Sequence, residues 1–281
     1  MFKRIYLEIT NVCNLRCSFC PGTVREKHFL SPEEFRLLAA KLRPYTDYLY
    51  FHVMGEPLLH PQLGALLAIA HELGFRVCLT TNGTLLGKVQ DVLLASPALH
   101  KVSISLHSFE GNDRQEGMSD YLDGVWQFCR RAAAQGTLCA LRLWNEGGQD
   151  QRNGDILRYL SGQLGFSVET TPVDARGNRR LCDRIFLQHA EKFDWPDLSA
   201  QERHVQFCHG LSQQIAVLCD GTVVPCCLDG QGAIPLGNLF SDDLSAILDS
   251  PRATSMREGF RRRQPQEELC RKCGYATRFN K

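Results

Sequence analysis

The sequence predicts an α/β fold, a partial TIM-like (β/α)6 barrel followed by a small α+β domain. Two observations carry this prediction. Over residues 1–175, short apolar runs alternate with amphipathic helical patterns, as in a parallel sheet covered by helices. After a polar stretch at 174–180 the alternation stops, and a hairpin pattern and short helical patterns follow.

The predicted barrel contains six strands, at residues 4–9, 48–53, 76–80, 101–106, 138–143 and 167–171. The clearest helix start between them is Ser31, which can cap a helix whose first residue is Pro32. Further helical patterns lie at 61–73, 85–95, 121–135 and 150–164. Because the carboxyl ends of parallel strands share one edge of a sheet, we expect functional residues after these strands.

Beyond the barrel, residues 215–218 and 222–225 flank Cys219-Asp220-Gly221 and predict a β-hairpin. Helical patterns follow at 243–249 and 251–263. We therefore predict a barrel domain at 1–175, a linker at 176–207 and a small domain at 208–281.

Thirteen cysteines are the most unusual feature of the 281-residue composition. The N-terminus has no signal-peptide pattern, and no apolar run is long enough to span a membrane. We therefore expect a cytoplasmic protein with no membrane partner, in a compartment where disulfides are rare. The net charge of +1 gives no indication of a nucleic-acid partner. Seven cysteines fall in two groups, which favours metal or cluster ligation over a disulfide framework.

The first group, Cys13, Cys17 and Cys20, follows the first predicted strand. Three thiolates from one loop can bind one face of an iron–sulfur cube and leave one iron open, whereas four would complete it. A structural zinc site normally has four ligands, and the nearest further candidate is His28. The spacing therefore favours an open cluster over the alternative of structural or zinc-bound cysteines.

This triplet, with Phe19 before its last cysteine, resembles the C-x3-C-x-aromatic-C signature of the radical S-adenosylmethionine (SAM) superfamily. The resemblance implies a [4Fe–4S] cluster on the three cysteines, with SAM on the open iron. It also implies an enzyme that cleaves SAM reductively to a 5′-deoxyadenosyl radical, which takes a hydrogen atom from a substrate. An electron donor such as flavodoxin or ferredoxin would serve such an enzyme.

Positions after later strands are similar to other motifs of the same superfamily. Gly55-Glu56-Pro57 resembles its G-E-P motif, whose implied role is to hold the methionine ammonium group of SAM. By the same resemblance, Asn82 lies in the turn after strand three, Ser105 lies where relatives bind the SAM ribose, and Arg142 lies where many pair with the SAM carboxylate. Each also has a plainer interpretation, as a turn residue, a polar strand residue or a surface charge.

The second group of cysteines lies near the C-terminus. Cys208 precedes Gly221 by twelve intervening residues, Cys226 follows it after four more, and Cys270 and Cys273 form a C-x2-C pair. This order is similar to the opening of the SPASM motif. Because the further cysteines of that motif do not follow, the closest resemblance is to its shortened "twitch" version. The resemblance implies one auxiliary [4Fe–4S] cluster on these four cysteines.

Two alternatives stay open for this second site. Zinc uses the same four-cysteine geometry, and the motif rather than the ligand count favours iron–sulfur. Cys227 is adjacent to Cys226 and could replace it, although the spacing from Gly221 favours Cys226.

The substrate pocket is expected at the barrel mouth, between the barrel and the small domain. Polar residues at predicted strand ends are candidates for catalysis or substrate binding: His52, His107, Asn145, Glu169, Asp174 and Arg176. We interpret Glu169 as strand-borne and facing the barrel interior, as a proton acceptor or substrate anchor. Glu8 on the first strand has the same two interpretations.

Fold and clusters do not fix the reaction. We expect an oxidoreductase that acts on a peptide or small metabolite and gives an oxidised or rearranged product. One alternative is a radical SAM lyase acting on a nucleobase-like or cofactor-precursor metabolite, of the queuine-salvage type. Another is a non-catalytic iron–sulfur or zinc protein that binds a partner.

Overall fold

A computed structural model describes residues 1–112, 116–175 and 177–280. Its strands form a ten-stranded sheet in the order β10-β9-β8-β1-β2-β3-β4-β5-β7-β6. The strands are β1 (Arg4–Leu7), β2 (Tyr48–Tyr50), β3 (Arg76–Thr81), β4 (Leu99–Ser105), β5 (Leu138–Glu146), β6 (Asn178–Cys182), β7 (Ile185–Glu191), β8 (Gln214–Val217), β9 (Thr222–Val224) and β10 (Gly237–Asn238).

The helices alternate with the first five strands, as the periodicity predicts. They are α1 (Pro32–Leu42), α2 (Leu63–Glu72), α3 (Leu86–Leu94), α4 (Met118–Ala134), α5 (Asn153–Leu164), α6 (Leu244–Leu248), α7 (Pro251–Arg261) and α8 (Glu268–Arg271). Helix α1 begins as predicted, because Ser31 and Glu34 form a reciprocal capping box.

Strands β1 to β5 and β7 are paired in parallel, which gives the predicted partial (β/α)6 barrel. The sixth parallel strand is not where the sequence predicted it. The segment expected to form a strand at 167–171 instead contains a 3-10 helix, Val168–Thr170. This helix follows α5 in the chain, and only its Val168 is buried. The prediction was wrong because this segment has a single buried apolar side chain, whereas Ile185 and Leu187 of β7 both enter the core.

The β6–β7 hairpin lies in the segment predicted to be a linker, 176–207. Strand β7 pairs in parallel with β5, and β6 pairs with β7 in antiparallel fashion. Residues 178–191 therefore belong to the main sheet. The polar composition that suggested a linker belongs to the edge strand β6, where a sheet meets solvent.

The predicted hairpin near the C-terminus is confirmed as β8 and β9, which pair in antiparallel fashion. Strand β8 also pairs in parallel with β1, so the C-terminal region extends the barrel sheet past its first strand. The two predicted C-terminal helices correspond to α6 and α7. This pairing brings the β8–β9 hairpin beside β1 and the residues that follow it.

The two faces of the barrel sheet differ in chemistry. Side chains such as Ile5, Leu49 and Val77 face outward and pack in the core beneath the helices. The alternate residues face inward and contact one another, as the aromatic rings of Tyr6 and Tyr50 do at 5.0 Å between centroids. The helix side thus holds the core, and the interior carries the polar and aromatic groups.

Candidate active site

The three N-terminal cysteines lie on the loop that leaves the carboxyl end of β1. Cys13 and Cys20 are exposed residues and Cys17 is half-buried. Burial of the sulfur atoms raises the pKa of each thiol, to about 11 for Cys17, and neighbouring thiols raise it further for Cys13 and Cys17. Three thiols on one loop are a donor set that fits an iron–sulfur cluster that leaves one iron free.

No group of three or more His, Cys, Asp or Glu side chains in the described part of the chain is arranged to hold a single metal ion. The cysteine loop is instead fixed by contacts from the turn after β4. The Ser18 amide donates to the carbonyl of Gly111 at 2.8 Å, and Asn112 Nδ2 donates to Cys17 Sγ at 3.0 Å. These bonds orient the loop and tune the electron density at Cys17.

Phe19 packs closely in the cysteine loop. A Cβ at Gly111 would lie 2.6 Å from Cε1 of the Phe19 ring, so this ring requires a glycine opposite it. The Phe19 ring also packs against the His107 ring, with 4.7 Å between the two ring centroids. Burial lowers the pKa of His107 to about 4, so its imidazole is neutral.

The Gly55-Glu56-Pro57 turn, after β2, packs directly on the start of the cysteine loop. Gly55 has a φ of +76°, and a Cβ there would lie 2.6 Å from the carbonyl oxygen of Thr10. The Glu56 amide donates to the carbonyl of Val12 at 2.8 Å. Only glycine allows this close approach.

The carboxylate of Glu56 is buried and joins two loops. It accepts hydrogen bonds from the amides of Leu58 and Asn82, at 3.0 and 2.8 Å. Burial raises the pKa of Glu56 to about 7, although these bonds oppose the shift. Its observed contacts are therefore with the backbone of two turns.

Asn82 continues this network into the cysteine loop. Its Nδ2 donates to Oδ1 of Asn14 at 3.0 Å, and its own Oδ1 accepts from the amide of Thr84 at 2.9 Å. Its carbonyl accepts from the Tyr121 hydroxyl at 2.8 Å. The turn after β3 thereby holds the residue that follows Cys13.

Ser105 and Arg142 are register partners on β4 and β5. The Arg142 side chain extends across the barrel interior, where its Nη1 lies 3.3 Å from Thr80 Oγ1 and its Nε 3.4 Å from Gln188 Oε1. His52 lies next to it, with Nε2 3.2 Å from the same Thr80 oxygen. These predicted residues therefore meet inside the barrel.

The four C-terminal cysteines of the second group lie around one space. Cys208, Cys226, Cys270 and Cys273 line one cavity beside β8 and α8. Burial raises the pKa of every one of them, and neighbouring thiols raise it further for Cys208, Cys226 and Cys270. Four thiols around one enclosed apolar space are a donor set that fits a closed cluster.

Cys227 does not line this cavity. Its thiol is hydrogen-bonded to Tyr6 and is close to Arg4 and Arg142, so it faces the barrel interior. Cys226 and Cys227 lie in the bend and turn that follow β9, and their side chains diverge there.

A cleft of about 530 Å³ separates the two groups of cysteines. Phe19 and Cys20 form one wall, and residues 192–198 form another. Four residues line both this cleft and the cavity of the C-terminal cysteines: Pro196, Leu228, Asp229 and Leu269. One layer of residues therefore separates the cleft from the second cysteine group.

Several weaker candidates lie elsewhere. Glu169 is exposed on its 3-10 helix, so the expectation that it faces the barrel interior is wrong. The exposed Asp174 carboxylate accepts from the amide of Asn178 at 2.9 Å and begins the β6–β7 hairpin. Asn145 Nδ2 donates to the carbonyl of Gln149 and braces the loop after β5. Arg176 lies outside the described residues.

Sequence reasoning missed Asn112 and Gly111. Both serve the cysteine loop, yet they lie about ninety residues from it along the chain. No local pattern distinguishes an asparagine that bonds to a distant sulfur from one that caps a turn. Only the contact between the turn after β4 and the loop after β1 identifies them.

Two family models match the chain. The model described as the radical SAM superfamily covers residues 7–151, just over half of the chain. The model described as an iron–sulfur cluster-binding domain, SPASM, covers residues 208–274. In addition, none of the described helices has the length and apolarity needed to cross a membrane.

Curated relatives match parts of the chain. Fe-coproporphyrin III synthase of Methanosarcina barkeri is 30% identical over 48% of this chain and 35% of its own. A tungsten-containing aldehyde ferredoxin oxidoreductase cofactor-modifying protein of Pyrococcus furiosus is 35% identical over 30% and 25%. GTP 3′,8-cyclase of Chlorobaculum tepidum is 33% identical over 42% and 39%. The match spans about a third of the length of these relatives.

Solved structures share the fold along most of the chain. BtrN in complex with AdoMet and 2-DOIA has a TM-score of 0.59 and 20% identity, covering 97% of this chain and 93% of its own. Streptococcus suis SuiB bound to its precursor peptide SuiA has a TM-score of 0.62 and 17% identity, over 98% and 70%. Native anSMEcpe with AdoMet and the Cp18Cys peptide has a TM-score of 0.63 and 13% identity, over 96% and 88%.

The family matches agree with the two sets of converging cysteines. They imply three cofactors, namely SAM, the [4Fe–4S] cluster that binds it, and an auxiliary iron–sulfur cluster. The chain belongs to the radical SAM superfamily of enzymes and carries a C-terminal auxiliary iron–sulfur domain of the SPASM or twitch type.

Proposed function

We propose that this chain is a radical SAM oxidoreductase that acts on a small molecule or a peptide side chain in the cleft of about 530 Å³. One observation carries the proposal. Cys20 forms one wall of the cleft, and residues of another wall also line the cavity of the four C-terminal cysteines. A substrate in this cleft would be within reach of both cluster sites, which suits an oxidation that starts at one and delivers an electron to the other.

Each set of cysteines has one role in this proposal. Cys13, Cys17 and Cys20 would hold the cluster that binds SAM, and Cys208, Cys226, Cys270 and Cys273 would hold the auxiliary cluster. When bound, SAM and its cluster supply a 5′-deoxyadenosyl radical that removes a hydrogen atom from the substrate. Cys226 rather than Cys227 is the proposed ligand, since Cys227 faces Tyr6.

The other residues of the site bind and orient. Gly55, Glu56, Pro57 and Asn82 would shape the SAM site from the turns after β2 and β3, with Ser105 beside it on β4. Glu56 acts by joining these turns through its buried carboxylate, because its oxygens accept from Leu58 and Asn82. Phe19 covers the loop on the cleft side, which would keep water from the reacting atoms.

The substrate class is supported by the lining of the cleft and by the relatives. Phe193 and Trp195 offer aromatic surface, and Lys192 and Gln231 offer polar groups. BtrN is described with 2-DOIA, and SuiB with a precursor peptide, so this scaffold accommodates both kinds of molecule. We propose an oxidised or rearranged product, released in the cytoplasm, with a reduced flavodoxin or ferredoxin as electron donor.

The test is SAM cleavage by anaerobically reconstituted protein reduced with dithionite. We expect release of 5′-deoxyadenosine by the wild type and none by Cys17→Ala, with Cys129→Ala, a buried core thiol on α4, as the matched control. Absence of release from wild type that contains both clusters would overturn the enzymatic proposal. With a substrate in hand, a product oxidised by two electrons supports the oxidoreductase, whereas bond scission alone supports the lyase.

A further inference from the structure

The barrel interior contains a half-buried arginine side chain that has no carboxylate partner among the described residues. This residue is Arg142, whose guanidinium carbon lies 4.5 Å from the centroid of the Trp144 ring. Its two polar contacts, to Thr80 and Gln188, are long hydrogen bonds to neutral oxygens. No Asp or Glu pairs with Arg142 in the part of the chain that the structure describes.

Such an arrangement is costly unless something compensates the charge. Burial lowers the pKa of Arg142, and the neighbours that oppose this shift are tyrosines and Cys227. An enclosed guanidinium normally pairs with a carboxylate or a phosphate, which matches its planar fork. Among the described residues, the buried carboxylates of Glu8 and Glu56 are engaged elsewhere, by Arg25 and by backbone amides.

A second polar atom in the same space also lacks a partner. Nδ1 of His52 is buried with no hydrogen-bond partner, although Nε2 contacts Thr80. Burial lowers the pKa of His52 to about 3, and Arg142 and Lys101 lower it further because both are cationic and near. The interior therefore combines positive potential with an unsatisfied imidazole nitrogen, which suits an anionic ligand with a hydroxyl or other donor group.

We propose that Arg142, with His52 and Thr80 beside it, forms a subsite inside the barrel for an oxyanion of the substrate, a carboxylate or a phosphate group. The proposal rests on the radical SAM function proposed above and adds the chemistry of the substrate. It replaces the expectation from the sequence that Arg142 pairs with the carboxylate of SAM.

The surroundings of the guanidinium favour substrate over SAM. Its electrostatic neighbours include Cys227 and Tyr275 of the C-terminal region, in addition to Tyr6 of β1. Leu228, the residue after Cys227, lines the proposed substrate cleft. Arg142 is thus near side chains of the C-terminal region, on which the proposed substrate cleft also borders.

The experiment measures thermal unfolding of reconstituted protein, both without SAM and saturated with SAM. Inorganic phosphate or acetate is the probe, and chloride holds the ionic strength constant. The two probes distinguish a phosphate from a carboxylate subsite. We expect at least one to raise the Tm of the wild type, and Arg142→Gln to bind that probe about tenfold or more weakly. We also expect Arg142→Gln to be at least as stable as the wild type without a probe, because an uncompensated charge is removed.

The matched control is Arg36→Gln, which removes an exposed arginine paired with Glu72 and should keep the full response to the probe. Three results would overturn the subsite: no response of the wild type to either probe, an undiminished response in Arg142→Gln, or a response that SAM abolishes. The last result would mean that Arg142 pairs with the carboxylate of SAM. Release of 5′-deoxyadenosine by the same wild-type preparation tests the proposed reaction separately, so either proposal can fail alone.

Discussion

Arg25 Nη2 lies 2.7 Å from both carboxylate oxygens of Glu8, in a buried ion pair at the centre of the site. The Glu8 side chain is fully buried and also accepts from the amides of Met54 and Cys219. Arg25 Nε in turn donates to the carbonyl of Gly230 at 2.9 Å. One ion pair therefore joins strand β1, the end of the cysteine loop, the turn after β2 and the C-terminal domain.

This geometry indicates a structural role for Glu8, which is neither of the two roles that the sequence suggested, proton acceptor or substrate anchor. Glu8→Gln should lower the free energy of unfolding by about 3–5 kcal/mol, because it leaves the Arg25 charge buried without a partner. Chemical denaturation measures the change. Glu72→Gln, at the exposed Arg36–Glu72 pair, is the control and should cost less than about 1 kcal/mol. Equal effects of the two variants would contradict the structural role of Glu8.

The second prediction separates Cys226 from Cys227. Cys226→Ala should lose about four of the about eight irons expected for two four-iron clusters, because its sulfur lines the four-cysteine cavity. Cys227→Ala is the matched neighbour and should keep all of them. Iron and sulfide analysis after anaerobic reconstitution measures both variants. Iron loss in Cys227→Ala alone would mean that the ligand assignment is reversed.

The sequence was sufficient for the features that depend on local pattern. The strand periodicity located β1 to β5, and the capping box located the start of α1. The cysteine spacing predicted the two groups that the fold brings together. These signals are strong because strand burial, caps and ligand loops are determined by residues close together in the chain.

What the sequence could not predict depends on contacts between distant segments. Strand β7 was missed because a polar edge strand, β6, precedes it and obscures the β/α alternation. The contact of Asn112 with Cys17 and the pairing of Arg25 with Glu8 have no local signature. The direction of Cys227 likewise follows only from how the β8–β9 hairpin sits against β1.

The third prediction concerns Gly55. Gly55→Ala should lower stability by more than the about 1–2 kcal/mol of a left-handed backbone, because its Cβ would also meet the carbonyls of Thr10 and Val12. Gly165→Ala is the control. Gly165 has nearly the same φ, +75°, but a Cβ added there would have no atom within 4 Å, so this variant measures the cost of the backbone conformation alone. Urea denaturation compares the two. If the two variants cost the same, the close packing of the turn on the cysteine loop is contradicted.

The fourth prediction is a pH dependence caused by His52. Its pKa of about 3 in the folded protein lies below the unfolded value of about 6.5, so only the unfolded state gains a proton as the pH falls. The contribution of neutral His52 to the free energy of unfolding is therefore fully present above the unfolded pKa. It is lost as the pH falls below that value. When the pH is lowered from about 7.5 to about 5.5, the free energy of unfolding of the wild type should fall by about 1.4 kcal/mol more than that of His52→Gln.

Urea denaturation at the two pH values, in buffers without phosphate or carboxylate, measures this difference. His71→Gln removes an exposed histidine on α2 and should leave the slope of the wild type unchanged. A slope that persists in His52→Gln would assign the pH dependence to another group.

The last prediction concerns the bond from Asn112 to Cys17. Its Nδ2 also donates to the carbonyl of Ser108 at 2.7 Å, so the amide is held in place when it meets the sulfur. A donor aimed at a ligating thiolate stabilises the reduced cluster, which carries more negative charge. Asn112→Ala should therefore shift the reduction potential of the N-terminal cluster to a more negative value. Potentiometric titration followed by electron paramagnetic resonance measures the shift.

Asn153→Ala is the matched control, because Asn153 bonds to Asn145 near α5 and makes no contact with a cysteine. It should leave the potential unchanged. A shift to more positive potential in Asn112→Ala, or an equal shift in both variants, would contradict the role of this bond. Because iron content and potential are read without substrate, the result stands whichever molecule occupies the cleft.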